Sequence, residues 1–468
     1  MWHLCNRRAW LLFYTIAVYG TCQAATFTVT KTTDTTTTSV VGELRWAIKR
    51  CNATAGSSQI LFNIPGTGPF TITPKQDLDA ITKPVTINGY SQPGASANTL
   101  ATGNNASLMI VLSGNNYTEG NAYEGTGNGL TFGSGSAGST VKGLVINAWV
   151  NTGILIDGAN SITIVGNFIG TNAAGTAQVA NQAGLFIQSS NNTVIGTAAP
   201  ADRNVIAGSF FFFNESSCIA IYGSNSSIIK NNYVGTNASG TATLGNSLAG
   251  IACISADGTI IGGATTAERN IVSGHAIVGV SLEAASSTQI LGNYIGTDAT
   301  GTHALGNQNL GICISGSGAV NSATSNVISS NLISGNRIGI KLGLASSLGA
   351  NQNTVTKNLI GTDVTGLLAL GNSYGVVIND NTNTVGGASL SARNVISANT
   401  VGGVLAYGSA QGNTITYNYI GLNSAGTAPL PNGYGVQLGV PGGHGAAPNN
   451  TVANNVFGGS NTQTTVGS

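Results

Sequence analysis

The phrase Gly166-Asn167-Phe168-Ile169-Gly170-Thr171-Asn172 returns four times along this chain, and no other feature restricts its fold so far. The copies are Asn231-Asn232-Tyr233-Val234-Gly235-Thr236-Asn237, Gly292-Asn293-Tyr294-Ile295-Gly296-Thr297-Asp298, Lys357-Asn358-Leu359-Ile360-Gly361-Thr362-Asp363 and Tyr417-Asn418-Tyr419-Ile420-Gly421-Leu422-Asn423. Their second-position Asn residues lie 65, 61, 65 and 60 apart. A finer period sits inside this one. Gly-apolar-x-apolar starts recur from Gly153 to Gly435, 282 residues in nine steps, or about 31 per step. A second phrase alternates with the first: Arg203-Asn204-Val205-Ile206, Arg269-Asn270-Ile271-Val272 and Arg393-Asn394-Val395-Ile396, with Ser325-Asn326-Val327-Ile328 in its place in the third repeat.

Between these markers the apolar runs are three to five residues long, often β-branched, and bounded by Asn or Gly, the pattern of strands and turns. No amphipathic helical window follows Asn52. Each step therefore holds about three short strands, too few to bury both faces of a sheet alone. Winding into a coil and stacking on the next solves this, pairing each strand with its equivalent above. The predicted fold is all-β: a right-handed parallel β-helix of roughly 13 coils with a strand spacing of about 4.8 Å per coil. Residues 25–100 read as a cap and irregular first coils, and residues 101–468 as the repeat domain. Val41 to Cys51 is the one convincing helix, placed to cover the first coil. At the other end, either residues 449–468 wrap the last coil, or the rod continues end to end into a partner.

Asn suits the corners, because it tolerates left-handed backbone and its amide can bond along a stack of like residues. Asn167, Asn232, Asn293, Asn358 and Asn418 are expected to form one interrupted ladder, and Asn204, Asn270, Asn326 and Asn394 another.

Composition narrows the classes further. Only 7% of the 468 residues are charged, which excludes a charged bundle or coiled coil, and 41% are hydrophobic, which excludes a disordered chain. A formal net charge of +1 leaves no electrostatic footprint for nucleic acid. Arg7, Arg8, the apolar stretch Trp10 to Tyr19 and Cys22-Gln23-Ala24 read as a signal peptide over residues 1–24, cleaved after Ala24. Nothing later reaches 18 apolar residues, so no transmembrane segment is expected. Cys51, Cys218, Cys253 and Cys313 lack zinc spacing and read as buried small hydrophobes, with a joined pair as the alternative in an exported chain. No cofactor or metal is implied.

The repeated phrases, the Gly-Ile-x-Ile starts, Leu44-Arg45-Trp46-Ala47-Ile48 and Pro84 to Gln92 together resemble the secreted right-handed parallel β-helix repeat proteins of bacteria. Trp46 departs from that family's Leu-Arg-Glu-Ala-Ile pattern. The resemblance implies an exported or surface protein and no particular reaction.

Candidate chemistry is sparse. Asp298 and Asp363 fall two coils apart, too far to share a Ca²⁺ ion, and alternate with Asn172, Asn237 and Asn423 as turn residues. Arg337-Ile338-Gly339-Ile340-Lys341 and Gly443-His444-Gly445 are similar in outline to motifs of polygalacturonase-like hydrolases. Their order is reversed, and no two acidic residues are adjacent anywhere. The histidines His275, His303 and His444 read as surface loop residues. Arg203, Arg269 and Arg393 share one repeat position and read as loop ties, with an anionic glycan as their alternative partner. Phe168, Tyr233, Tyr294 and Tyr419 follow the ladder Asn, and strand alternation points them outward as a platform on which sugars stack. The competing reading folds the following loop over them as satellite core. Phe210 to Phe213 is either a contact patch or the filling of an insertion. The leading expectation is a non-catalytic exported rod that binds polysaccharide or cell-surface glycans. The alternative is a polysaccharide lyase or glycoside hydrolase.

Overall fold

Each winding of the chain places its three short apolar runs on three different sheets. The computed structural model describes residues 24–465 apart from 37–38, 119–125, 209–216, 246–247, 318–321, 345–348, 440–446 and 460–462. One winding runs through Thr163–Val165, Phe168–Ile169 and Ala183–Gln188, and the next through Val194–Ile195, Val205–Ile206 and Ser217–Tyr222. Successive windings pair in parallel, for example Phe168 with Val205 and Leu185 with Ile219. The result is a right-handed parallel β-helix whose three sheets hold 14, 13 and 12 strands. We call them the first, second and third sheets in the order the chain meets them within a winding.

The two-residue strands of the second sheet show how sequence sets the core. Their second residue points inward, and Ile169, Ile206, Val234, Val272, Ile295, Ile333, Ile360, Ile396 and Ile420 form a column with no exposure. Burying one such side chain contributes about 1.5–3 kcal/mol, so the column acts as a spine. In the windings that carry the long repeat, the residue before the ladder Asn turns the corner with positive φ: Gly166 at 64°, Asn231 at 58°, Gly292 at 66°, Lys357 at 60° and Tyr417 at 58°. Gly adopts this freely, whereas a Cβ there costs about 1–2 kcal/mol.

At the corner from first to second sheet the two expected Asn ladders are a single one. Asn167 N donates to Asn204 Oδ1 (2.9 Å), Asn204 Nδ2 to Asn232 Oδ1 (2.8 Å), Asn232 N to Asn270 Oδ1 (2.9 Å) and Asn270 Nδ2 to Asn293 Oδ1 (2.9 Å). The column continues without a break through Asn331, Asn358, Asn394 and Asn418 to Asn455. The two phrases occupy alternate windings, so their asparagines interleave. Asn326 is a correction: it lies at the corner from third to first sheet, where it accepts from Thr288 N and bonds to Asn353. Its own run, Val327–Ser329, is a first-sheet strand, and Asn331 takes its place in the main ladder. A further ladder at the corner from second to third sheet runs Asn307, Asn336, Asn372, Asn399, Asn432. His275 heads it, giving its N–H to Asn307 Oδ1 at 3.1 Å.

The helix Leu44–Ala53 covers the first coil, with Leu44, Ala47, Ile48 and Cys51 buried against it. Arg45 pins the cap, with Nε and Nη2 on Asp34 at 2.9 and 2.8 Å and Nη1 on the Asp77 carbonyl at 2.7 Å. Trp46 sits edge-on to Phe27, 5.9 Å between ring centres, an apolar contact where the resembling family carries a carboxylate. At the far end, Thr451–Ala453, Val456–Phe457 and Gln463–Thr465 each pair with the strand before, so this stretch is one more winding. No described helix is long and apolar enough to cross a membrane. The signal-peptide expectation, Phe210 to Phe213 and His444 lie outside the described residues.

Candidate functional site

The outward residues of the second sheet are not a platform. Phe168, Tyr233 and Tyr294 are buried, at 1, 3 and 6% exposure, and Tyr419 is half-buried. The loop that follows each strand folds back over its ring. A Cβ on Gly175, Gly240, Gly301 or Gly426 would meet the covered ring at 3.0, 2.9, 2.9 or 2.6 Å. The loops also join each other across the intervening winding: Ala238 N donates to the Gly175 carbonyl at 2.8 Å and Ala299 N to that of Gly240 at 2.9 Å. Val364 and Ser424 continue the string, each donating to the preceding loop at 2.9 Å. The exposed aromatic stripe expected from strand alternation is thus a satellite core with a continuous wall over it.

The arginines complete that wall. The Arg203, Arg269 and Arg393 guanidinium carbons lie 4.8, 3.9 and 3.6 Å from the ring centres of Tyr233, Tyr294 and Tyr419. Where Leu359 replaces the aromatic, Ser330 replaces the arginine one winding before it. There arginine and ring are lost together, whereas Phe168 keeps its ring with Gly143 at the arginine position. Arg203 has all five donor hydrogens in use, on Asn231 Oδ1 and on the carbonyls of Leu100, Ala101 and Gly103.

Asp298 and Asp363 close their own loops. Asp298 accepts from Thr300 Oγ1, Thr302 N and His303 N, and Asp363 from Thr365 Oγ1, Leu367 N and Leu368 N. Asn172 does the same for Thr176 N and Ala177 N. These bonds hold the Asp298 carboxyl below the usual carboxylate range although burial acts against them. His275 is buried rather than a surface loop residue. Desolvation pushes its pKa down to about 4, and its Nε2 lies 3.3 Å from the Val234 carbonyl.

The outer face of the third sheet is different. Along the strand Ile338–Leu342, Ile340 and Leu342 enter the core, while Lys341 faces out and is half-exposed. Arg337 stands exposed at the start of that strand, its Nη1 on Asn309 Oδ1 at 3.2 Å. The two cations are about 13 Å apart at Cα by the rise of a strand. Lys341 pairs in register with Cys313, which pairs with Ser281, and Glu283 lies two residues beyond Ser281. Burial pushes the Cys313 thiol up to about 12; Lys341 lowers it and Glu283 raises it, so both charges reach the same point.

Beside this face runs a groove along the rod. One cavity of about 440 Å³ is lined by Gln308, Arg337, Ser373 and Thr400, and an adjoining one of about 500 Å³ by Thr400, Leu430 and Pro431. Tyr374 pairs with Gly402, and the Tyr434 ring covers Gly402 so closely that a Cβ there would meet it at 2.2 Å. Burial pushes the Tyr434 phenol up, and the neighbouring Tyr374 adds to the shift. An arginine, a lysine, a carboxylate and two tyrosines thus share one side of the rod. None belongs to the long repeat, which is why self-comparison passed over Glu283, Tyr374 and Tyr434; Arg337 and Lys341 entered the sequence reading only as the ends of a motif similar in outline to one of polygalacturonase-like hydrolases. Among the described residues no group of three His, Cys, Asp or Glu is placed to hold a metal ion.

No protein-family model and no curated protein matches the sequence. Solved structures do. The A-module of mannuronan C-5 epimerase AlgE4 from Azotobacter vinelandii is 11% identical, over 89% of this chain and 95% of that one, with a TM-score of 0.40. A mutant DFA-IIIase from Arthrobacter chlorophenolicus A6 in complex with DFA-III is 14% identical, over 94% of this chain and 99% of that one, with a TM-score of 0.46. At this identity the likeness speaks to the fold, and the expectation of a non-catalytic glycan-binding rod is corrected on the site itself. Burial of Phe168, Tyr233 and Tyr294 removes the sequence feature that had motivated it.

Proposed function

We propose that the protein is an enzyme acting on an acidic polysaccharide laid along the groove beside the third sheet, by removing the proton α to a uronate carboxylate. The observation that carries this reading is the placement of Arg337 and Lys341 at the two ends of one outward-facing strand edge, with the groove and two tyrosines alongside. A sugar bound between them has its carboxylate on Arg337, whose planar guanidinium suits a bidentate pair. Neutralising that carboxylate makes the C5 proton easier to remove. Lys341, at the other end of the same strand edge, is the group that takes the proton. The electron pair of the C5–H bond becomes the C4=C5 double bond, the C4–O4 bond breaks, and the leaving oxygen is protonated from Tyr374 or from water. A hydrolase is disfavoured, because it needs two carboxylates free to act within about 10 Å of each other across the scissile bond; Glu283 is half-buried near Lys341, but Asp380, lying against Gly343, is buried with its Oδ2 taken by Gly349 N and Ala350 N. The leader pattern over residues 1–24 puts the enzyme where such polymers are met, outside the cytoplasm.

The test is release of unsaturated product from polymannuronate, polyguluronate and polygalacturonate, followed by the ultraviolet absorbance of the new double bond. Lys341→Met is expected to lower kcat by about 10²–10⁴, the usual contribution of a proton-transfer group, and Arg337→Gln to raise KM. No product from any of the three polymers, or undiminished turnover by Lys341→Met, overturns the reading.

A further inference from the structure

The Arg-over-Tyr device of the second sheet occurs three times, and one copy shows what it binds. At Arg203 the occupant is the chain's own segment 98–105. Its carbonyls at Leu100, Ala101 and Gly103 meet the guanidinium, and Gly103 N donates to Tyr233 Oη at 2.7 Å. Asn98 Nδ2 and Asn104 Nδ2 fasten the segment to the Pro200 and Arg203 carbonyls at 2.9 and 3.2 Å. Two windings on, Arg269 stacks on Tyr294 in the same way, but only its Nε donates to a carbonyl, that of Gly292 at 3.1 Å. No oxygen of a described main-chain carbonyl meets its two η nitrogens.

Between the filled copy and the open one lies a cleft of about 170 Å³. Arg203, Arg269 and Thr266 bring polar groups to it, Thr102 adds another from the docked segment, and Pro200 and Ile271 give it apolar walls. Arg203 has no donor left for a ligand, whereas Arg269 has. The volume admits one small molecule rather than a polymer.

We infer that this cleft is a binding site for a small carboxylate-bearing sugar, a single hexuronate. Its carboxylate sits on the η nitrogens of Arg269, its hydroxyls bond to Thr102 and Thr266, and its apolar edge lies on Ile271 and Pro200. A charged acceptor outcompetes a peptide carbonyl at a guanidinium because the bond is charge-assisted on both sides. The site is on the second sheet and the proposed catalytic groove on the third, so the two stand or fall separately.

The experiment is titration of the full-length protein with galacturonate and, in parallel, with galactose, followed by calorimetry and by protein NMR. Galacturonate is expected to bind and galactose not to. Arg269→Gln is expected to weaken galacturonate at least about tenfold. Ala267→Leu fills the mouth of the cleft from an exposed turn without touching the guanidinium, and is expected to do the same with an unchanged melting temperature. Arg269→Gln should keep polymer turnover, and Lys341→Met should keep galacturonate binding. Equal binding of galactose and galacturonate, or wild-type affinity in both Arg269→Gln and Ala267→Leu, overturns the inference.

Discussion

On the second sheet the outward residue of each winding is covered by chain belonging to the same repeat. Tyr294 lies under the loop at Gly301 and against the Arg269 guanidinium, two partners supplied by the periodic sequence itself. On the third sheet the outward residues vary from winding to winding: Phe186, Ala220, Ala252, Ser281, Cys313, Lys341, Val377 and Leu405 follow one another in register. The comparison teaches where to look in a solenoid. A side chain that returns at every second coil is held by neighbours that return with it, and becomes packing. On the third sheet the column varies, and although Ala220, Ala252, Cys313, Val377 and Leu405 are buried there too, Lys341 is left half-exposed and brings a charge to the surface.

The sharpest way to break this contrast is to truncate a tyrosine on each face. Tyr294→Ala removes a buried ring from under its loop and should cost about 3–5 kcal/mol in denaturant unfolding, while Tyr374→Ala, half-exposed, should stay within about 0.5 kcal/mol. Equal costs would mean that the second-sheet wall does not hold its rings.

A pH series tests the ladder behind those faces. The His275 ring is enclosed so tightly that a Cβ on Gly235 or Gly250 would meet it at 2.5 and 2.6 Å, and it is held neutral with a pKa of about 4 against 6.5. Its folded pKa is depressed, so the unfolded chain binds the proton first. The stability it contributes is whole above about pH 6.5, falls as the pH drops towards 4, and amounts to about 3 kcal/mol. His275→Asn, which extends the column of Asn307, should flatten that part of the profile; an unchanged slope would place the titrating group elsewhere.

The smallest expected effect compares two arginines. Arg393→Gln loses the stack on Tyr419 and the bond to the Tyr417 carbonyl, and should cost about 1 kcal/mol in thermal or chemical unfolding. Arg337→Gln, exposed and bonded only to Asn309 among the described residues, should change stability by less than about 0.5 kcal/mol while it alters substrate affinity. A reversed order would put the structural arginine on the third sheet.

The coil period, the strand and corner residues and the capping helix were all legible in the amino-acid order, because each depends on local preference repeated at fixed spacing. Asn167, Asn232 and Asn293 could be assigned to corners for that reason. Their merging with Asn204 and Asn270 into one ladder could not, since the relative register of alternate windings is set only when the strands pair. The same limit explains the misplacement of Asn326. Strand alternation correctly turned Tyr233 and Tyr294 away from the axis, yet outward is not exposed: the loops after Thr236 and Thr297 reach their neighbours two windings away, a distance that no local pattern encodes.

What the sequence determined by itself is the kind of object this is, a stacked coil, because periodicity is a property of chain order. What the tertiary structure decided is which outward side chains meet water. That depends on contacts between residues dozens of positions apart, and it moved the candidate chemistry from the repeated aromatics to Arg337 and Lys341 on one strand and to Glu283, which joins their face only after the coils have stacked.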